Sequence, residues 1–195
     1  MAADDLLSRL GSRRGHFALE SGNHGDRWLE IDRLFDDPAE SLPFARLLAQ
    51  FLEEHDIEAV SGPSLGGGVL ARQIAQLMGL PACVAQRIAP EGGAVRYQID
   101  DAQACVVAGQ RVAVVDDVIG AGSAVKATLC ELRRLAAIPV VIGALLESGL
   151  QPGELARQTR IPVVSLGSVE SGMWHPSECP LCRLQVPLEV LFAIP

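Results

Sequence analysis

Short runs of β-branched and aliphatic residues alternate along the chain with longer stretches in which apolar residues recur every three or four positions. That alternation limits the fold more tightly than any single motif. "IEAV" (57–60), "ACVAQRI" (82–88), "VAVV" (112–115), "IPVVIGALL" (138–146) and "IPVVSL" (161–166) read as strands. Between them Phe44, Leu47, Leu48, Phe51 and Leu52 form one helical stripe. Leu70, Ile74, Leu77 and Met78 form a second, and Val125, Leu129, Leu132 and Ala136 a third. Strand and helix in repeated succession predict βαβ units, and so an α/β fold whose parallel β-sheet is flanked by helices. Sites in such sheets lie beyond the carboxyl ends of the strands, which directs attention to the loops after 60, 115 and 146.

With 195 residues and 49% hydrophobic content, one full core is affordable and one domain is expected. A net charge of −8 argues against a broad nucleic-acid or anionic-membrane surface. Lys126 is the only lysine, so any anion site must use arginine, backbone N–H groups or hydroxyls. No apolar run is long enough to span a bilayer, and "MAADDLLSRLGSRRG" lacks the apolar centre of a signal peptide. Five cysteines without disulfide-framework spacing suit a reducing, cytoplasmic setting.

The loop after 115 carries the chemistry. In "VVDDVIGAGSAV" (114–125) an apolar strand runs into Asp116 and Asp117, and Gly120, Gly122 and Ser123 then open a helical pattern. A glycine turn between strand and helix aims free N–H groups and the positive end of the helix dipole at one point, which suits a phosphate. No G-K-[ST] follows, so the turn is not a nucleoside-triphosphate loop. The two carboxylates would repel a phosphate at short range and suit sugar hydroxyls or Mg²⁺ instead. A phosphorylated ribose meets both demands. Two other readings remain open on the residues alone. One is a solvated acidic strand end beside an ordinary turn. The other is a dinucleotide fingerprint with Glu147 as the ribose acid, against which stand Val125 at the third small position and the intervening "DDVI".

"RVAVVDDVIGAGSAV" resembles the diphosphoribosyl (PRPP) binding motif of type I phosphoribosyltransferases. "GHFALESGNHGDRW" (15–28), "VSGPSLGGGVLA" (60–71) and "CPLC" (179–182) are similar, in the same order, to segments of the orotate phosphoribosyltransferase branch. The resemblance implies a core over 41–166, a hood and base-binding segment over 1–40, and a tail over 167–195. It implies transfer of phosphoribosyl from PRPP to a pyrimidine-type base with release of pyrophosphate. Mg²⁺ would be bound through PRPP rather than by protein ligands, and the protein would be a homodimer. On this sequence Asp116 and Asp117 would hold the ribose hydroxyls. Gly120, Ala121, Gly122, Ser123 and Ala124 would hold the 5′-phosphate. Ser64, Leu65 and Gly66 would lie against the pyrophosphate, with Arg87 as its cation and, beside the two aspartates, a catalytic candidate. Phe17, Trp28 and Glu147 are the base-binding candidates.

The departures from the family pattern fall on the chemistry. Gly120 and Ala121 stand where the family loop usually has threonines, and Ala124 where it has a hydroxyl. Glu147-Ser148 replaces an Asp-Arg pair whose arginine recognises orotate, which predicts repulsion of an anionic base. Glu20 takes the lysine position of an "LKSG" element, and "QRIAPEGGAVRY" (86–97), with glycines suited to a lid, offers only Arg87 and Arg96. A second functional class therefore stands beside the enzyme: a catalytically lapsed member that binds PRPP or a nucleotide as a regulatory protein.

Two features remain. His16 and His24 flank "ALESG", near where the family admits its base, and either could contact substrate, although a partly exposed histidine in an N-terminal loop is the plainer reading. In "WHPSECPLC", His175, Cys179 and Cys182 make three quarters of a zinc site, with no fourth ligand deducible among Cys83, Cys105 and Cys130. A tight turn with packed thiols explains the same residues, and no zinc is expected.

Overall fold

The computed structural model describes residues 2–64, 66–89, 95–149, 151 and 153–191, with side chains from Asp5 onward. Leu65 and residues 90–94 of the expected lid lie outside the described residues. The first half of the chain forms α1 (Ala2–Arg9), β1 (Ser12–Ala18), β2 (His24–Leu29), α2 (Pro38–Leu52), β3 (Ala59–Pro63), α3 (Gly66–Met78) and β4 (Ala82–Ile88). The second half forms β5 (Arg96–Gln98), α4 (Asp101–Val107), β6 (Arg111–Ile119), α5 (Ser123–Arg134), β7 (Ile138–Ser148), α6 (Glu154–Thr159), β8 (Val163–Ser165), β9 (Ser168–Val169), β10 (Met173–Trp174) and α7 (Pro180–Arg183).

Five of these strands occupy the five runs read from the sequence, and they pair in parallel in the order β4-β3-β6-β7-β8. β5 adds an antiparallel edge to β4, and β9 a short parallel pairing to β7. The central strands read as continuous apolar runs because both faces are covered. On one face Phe44, Leu48 and Leu52 of α2 and Leu70 and Ile74 of α3 share a core with Val115 and Leu145. On the other, Val125, Leu129 and Leu132 of α5 pack with Val112, Val114 and Ile142. Each such side chain, fully buried, contributes about 1.5–3 kcal/mol, which holds the helices against the two faces of the sheet. The start of α2 is fixed locally: Pro38 takes the first helical turn, and the Asp37 carboxylate accepts from the Ala39 N–H at 2.9 Å. The third apolar stripe overruns its helix. α5 ends at Arg134, and Ala136 adopts a left-handed conformation (φ 58°) to turn the chain into β7.

A second, antiparallel sheet joins segments from opposite ends of the sequence, in the order β1-β2-β10. Met173 and Trp174 pair with Gly25 and His24. Glu189 then bridges to β1: its carbonyl accepts from the Ala18 N–H at 2.8 Å, and its N–H donates to the His16 carbonyl at 2.7 Å. No helix among the described residues is long and apolar enough to cross a membrane.

Candidate active site

The carboxyl end of β6 delivers Asp116 and Asp117 into a cavity of about 270 Å³. The start of α3, the turn into α5, the β1–β2 hairpin and residues 171–173 complete its walls. Both aspartates are drawn in by glycine. A Cβ on Gly67 would stand 2.7 Å from Asp116 Oδ1, and one on Gly66 would overlap the Asp117 carboxylate. The glycines of "GPSLGG" thus let the amino end of α3 close directly over the acidic pair. Backbone N–H groups meet both carboxylates: the Asp117 N–H donates to Asp116 Oδ1 at 3.1 Å, and the Val118 N–H to Asp117 Oδ1 at 2.7 Å.

Burial holds the Asp116 carboxyl well above the usual aspartate range, with the charge of Asp117 as the next cause. Asp117 is also raised, again chiefly by burial. Two neighbouring carboxylates with few donors favour a ligand that brings hydroxyl donors. Tyr97 joins the lining, and its phenol is pushed up by burial and by Glu20 and Asp116, so it stays protonated and able to donate.

At the opposite wall, Gly122 takes φ 69° to start α5, and no side chain caps that helix. Gly120 through Ala124 all line the cavity, so this turn and the start of α5, where backbone N–H groups lack intrahelical partners, border the same space as the aspartates. Ser64 lines it beside α3, its hydroxyl oxygen accepting from the Arg87 N–H at 3.0 Å. A larger groove of about 710 Å³ lies behind Ser171 and Gly172 and includes Arg14, Asp26, Glu147 and Glu170.

No family model matches the chain. An orotate phosphoribosyltransferase of Thermoanaerobacter sp. is 35% identical over 63% of this chain, and the chain spans 62% of that relative's length. The orotate phosphoribosyltransferase of Thermotoga maritima is 30% identical over 95% of this chain and 94% of its own. The chain belongs to the orotate phosphoribosyltransferase family. Solved structures agree in fold. Orotate phosphoribosyltransferase from Aeropyrum pernix covers 87% of this chain, with 94% of its own chain matched, at a TM-score of 0.66 and 23% identity. Adenine phosphoribosyltransferase from Thermoanaerobacter pseudethanolicus covers 85%, with 99% of its own matched, at 0.67 and 19%. The α/β fold read from the sequence is that of type I phosphoribosyltransferases.

Within this family frame, the structure gathers Asp116, Asp117, Ser64, Gly66, Trp28 and the 120–124 turn around one cavity. Three expected site residues lie elsewhere. Phe17 is fully buried beneath Trp28, ring centroids 6.1 Å apart, and is not among the lining residues. Glu147 turns to the other groove, where it accepts from the Ser165 hydroxyl at 2.7 Å, so its charge is not placed against a base in this cavity. Arg87 is half-buried on β4 across from Tyr97 and does not line the cavity. Tyr97 and Arg27, both lining residues, were not singled out in the sequence. Tyr97 is a lone aromatic on a short edge strand, and Arg27 sits in a hairpin whose pattern is too irregular to assign a face.

The tail cysteines meet partners other than those expected. His175 Nδ1 bonds the Ser177 hydroxyl at 2.7 Å and takes no part in a cluster. Instead Cys179 and Cys182 converge with His16 of β1 and His24 of β2. Cys83, Cys105 and Cys130 belong to no such group among the described residues.

Proposed function

We propose that this chain is a phosphoribosyltransferase that transfers phosphoribosyl from PRPP to a pyrimidine-type base and releases pyrophosphate. The observation that carries the proposal is the meeting, in one cavity, of the Asp116–Asp117 pair with the uncapped amino end of α5. The ribose diol donates to the two carboxylates while the 5′-phosphate accepts from the amides of 120–124 and the Ser123 hydroxyl. Pyrophosphate lies against Ser64 and the start of α3. The carboxylate oxygens of Glu20, Asp116 and Asp117 around the cavity suit Mg²⁺ as well as hydroxyls. Bound to PRPP, that ion would neutralise charge on the leaving group.

The bond from C1 to the pyrophosphate oxygen breaks, with its electron pair leaving on pyrophosphate, and a ring nitrogen of the base forms the new bond to C1 and gives up its proton to solvent. The aspartates act by fixing the sugar so that its C1 faces the base, and their charge favours the oxocarbenium character that develops there. Trp28 offers the base a face. Arg27 is the one cation among the described lining residues, with its Nη1 donating to the Ser12 hydroxyl at 2.9 Å, and its charge is of the sign that suits an anionic substituent on the base. With Glu147 facing away, an anionic pyrimidine such as orotate is admissible.

Four acids against this single arginine favour a second reading, a lapsed member that binds PRPP or a nucleotide. Incubation with PRPP, Mg²⁺ and a panel of bases including orotate separates the two. Pyrophosphate release supports the transferase. Its absence, with calorimetric binding of PRPP that Asp117→Asn abolishes, supports the binding protein. No release and no binding overturn both.

A further inference from the structure

We infer that His16, His24, Cys179 and Cys182 form a tetrahedral zinc site that clasps the tail to the β1–β2 hairpin. The donor atoms are His16 Nε2, His24 Nδ1 and the two cysteine Sγ atoms, all within 4.8 Å of one another. His16 Nε2 lies 3.0 Å from His24 Nδ1, 3.4 Å from Cys179 Sγ and 3.7 Å from Cys182 Sγ. His24 Nδ1 lies 3.3 Å from Cys182 Sγ. Bonds of about 2.0–2.1 Å to nitrogen and about 2.3 Å to sulfur, at tetrahedral angles, require edges of about 3.3 Å between nitrogens and about 3.5 Å from nitrogen to sulfur. The four distances scatter about those edges.

The tautomer of His16 agrees. Its Nδ1 is 2.8 Å from the Val186 carbonyl, which can only accept, so Nδ1 carries the proton and Nε2 presents its lone pair to the cluster. A ring N–H held by a backbone carbonyl is the usual outer support of a metal-bound histidine. Without a cation, one lone pair faces a second imidazole and two thiols, and it can satisfy only one of them well. Two imidazoles and two thiolates select zinc over hard cations. Cys179-Pro-Leu-Cys182 supplies the short two-residue spacing of a zinc knuckle, and the paired strands β2 and β10 bring His24 beside Trp174 to meet it. Cys179 and His16 are buried while Cys182 is exposed, so one side of the site is open to exchange.

The function is structural. The hairpin that holds His16 and His24 also presents Leu19, Glu20, Arg27 and Trp28 to the main cavity, so a metal at its back fixes the roof of the pocket.

Metal analysis of the intact purified protein, with no metal added after lysis, tests this. The expected result is one zinc per chain, with loss of that zinc in Cys182→Ser and in Cys179→Ser and full retention in His175→Ala. Cobalt substitution should give the intense visible bands of a tetrahedral centre and a thiolate charge-transfer band. A chelator should lower the melting temperature of the parent but not of Cys182→Ser. Should Cys179→Ser fail to fold, the exposed position 182 still decides the matter. Zinc well below one per chain, zinc retained in Cys182→Ser, a weak octahedral cobalt spectrum, or a Cys179–Cys182 disulfide in the freshly isolated protein each overturns the assignment.

Discussion

Glu131 allows a buried hydrogen bond to be weighed against a half-exposed ion pair at one residue. It lies on α5, 7% exposed, and accepts from the Ile99 N–H at 3.0 Å and from Arg134 Nε and Nη2 at 2.7 and 2.9 Å. Ile99 is fully buried, so truncation to alanine leaves its N–H without an acceptor, a loss of about 1–3 kcal/mol. The Arg134 side chain is 58% exposed, which limits the ion pair to about 0.5 kcal/mol. Adding part of the buried side-chain stem, Glu131→Ala should destabilise by roughly 2–4 kcal/mol. Glu131→Gln keeps an oxygen for Ile99 and should lose only about 0.5–1.5 kcal/mol. Urea unfolding at neutral pH, with an unchanged slope, reads both.

The advantage of the parent over the glutamine variant has a defined pH window. Arg134, and then the Ile99 N–H against the opposing effect of burial, hold the Glu131 carboxyl below its ordinary value. The extra stability is therefore fully present above about pH 4.3 and disappears as pH falls through the depressed value. Equal losses in the two variants would refute the reasoning, because the ion pair rather than the buried N–H would then dominate. Since Ile99 anchors the segment that carries Tyr97, the alanine variant should also weaken PRPP binding.

Asp116→Asn should melt higher than the parent at pH 7 while losing PRPP binding. A raised carboxyl makes the folded state less stable as pH climbs past about 3.9, so the difference in melting temperature should shrink on acidification, by calorimetry. Gly66→Ala forces a methyl into the Asp117 carboxylate and should lower stability by about 1–3 kcal/mol and PRPP affinity by at least about tenfold, read by urea unfolding and titration calorimetry. Ser148→Arg, at a lining position where Ser148 and Ser171 hydroxyls lie 2.9 Å apart, should tighten orotate binding about tenfold, as a KM or calorimetric measurement would show. Ala136→Gly relieves a left-handed alanine that is solvent-exposed and should add about 0.5–1 kcal/mol in urea unfolding.

What the sequence made legible follows from how local each signal is. β6 and β7 are buried on both faces, so their apolar runs stand out, and α5 carries its stripe on one face only. β5 and α4 were missed because three residues and seven residues hold too little periodicity to register. The β1 strand escaped because its buried residues cluster at one end, interrupted by an irregular pairing between Arg14 and Phe17. Asp116, Asp117 and the glycine turn are adjacent in sequence, so the acidic pair and the helix start could be read together. The histidine and cysteine cluster could not. His16 and His24 were visible, and so was the Cys179–Cys182 pair, but the contacts that join them, β2 with β10 and Glu189 with β1, lie far apart in sequence. Glu147 shows the complementary failure: the residue was located correctly at the end of β7, while the alternation of a strand sent it to the other groove and Ser148 to the cavity.

The ladder between β2 and β10 also has a consequence for biosynthesis. Gly25 leaves the ribosome long before Met173, its partner, and the parallel sheet can be complete while the small sheet still lacks a strand. Through that interval β2 presents an unpaired edge, and the cavity it roofs is unfinished. Ligand capture should therefore be among the last properties a nascent chain acquires, and a chain halted near residue 167 should fold its core yet expose that edge to other chains.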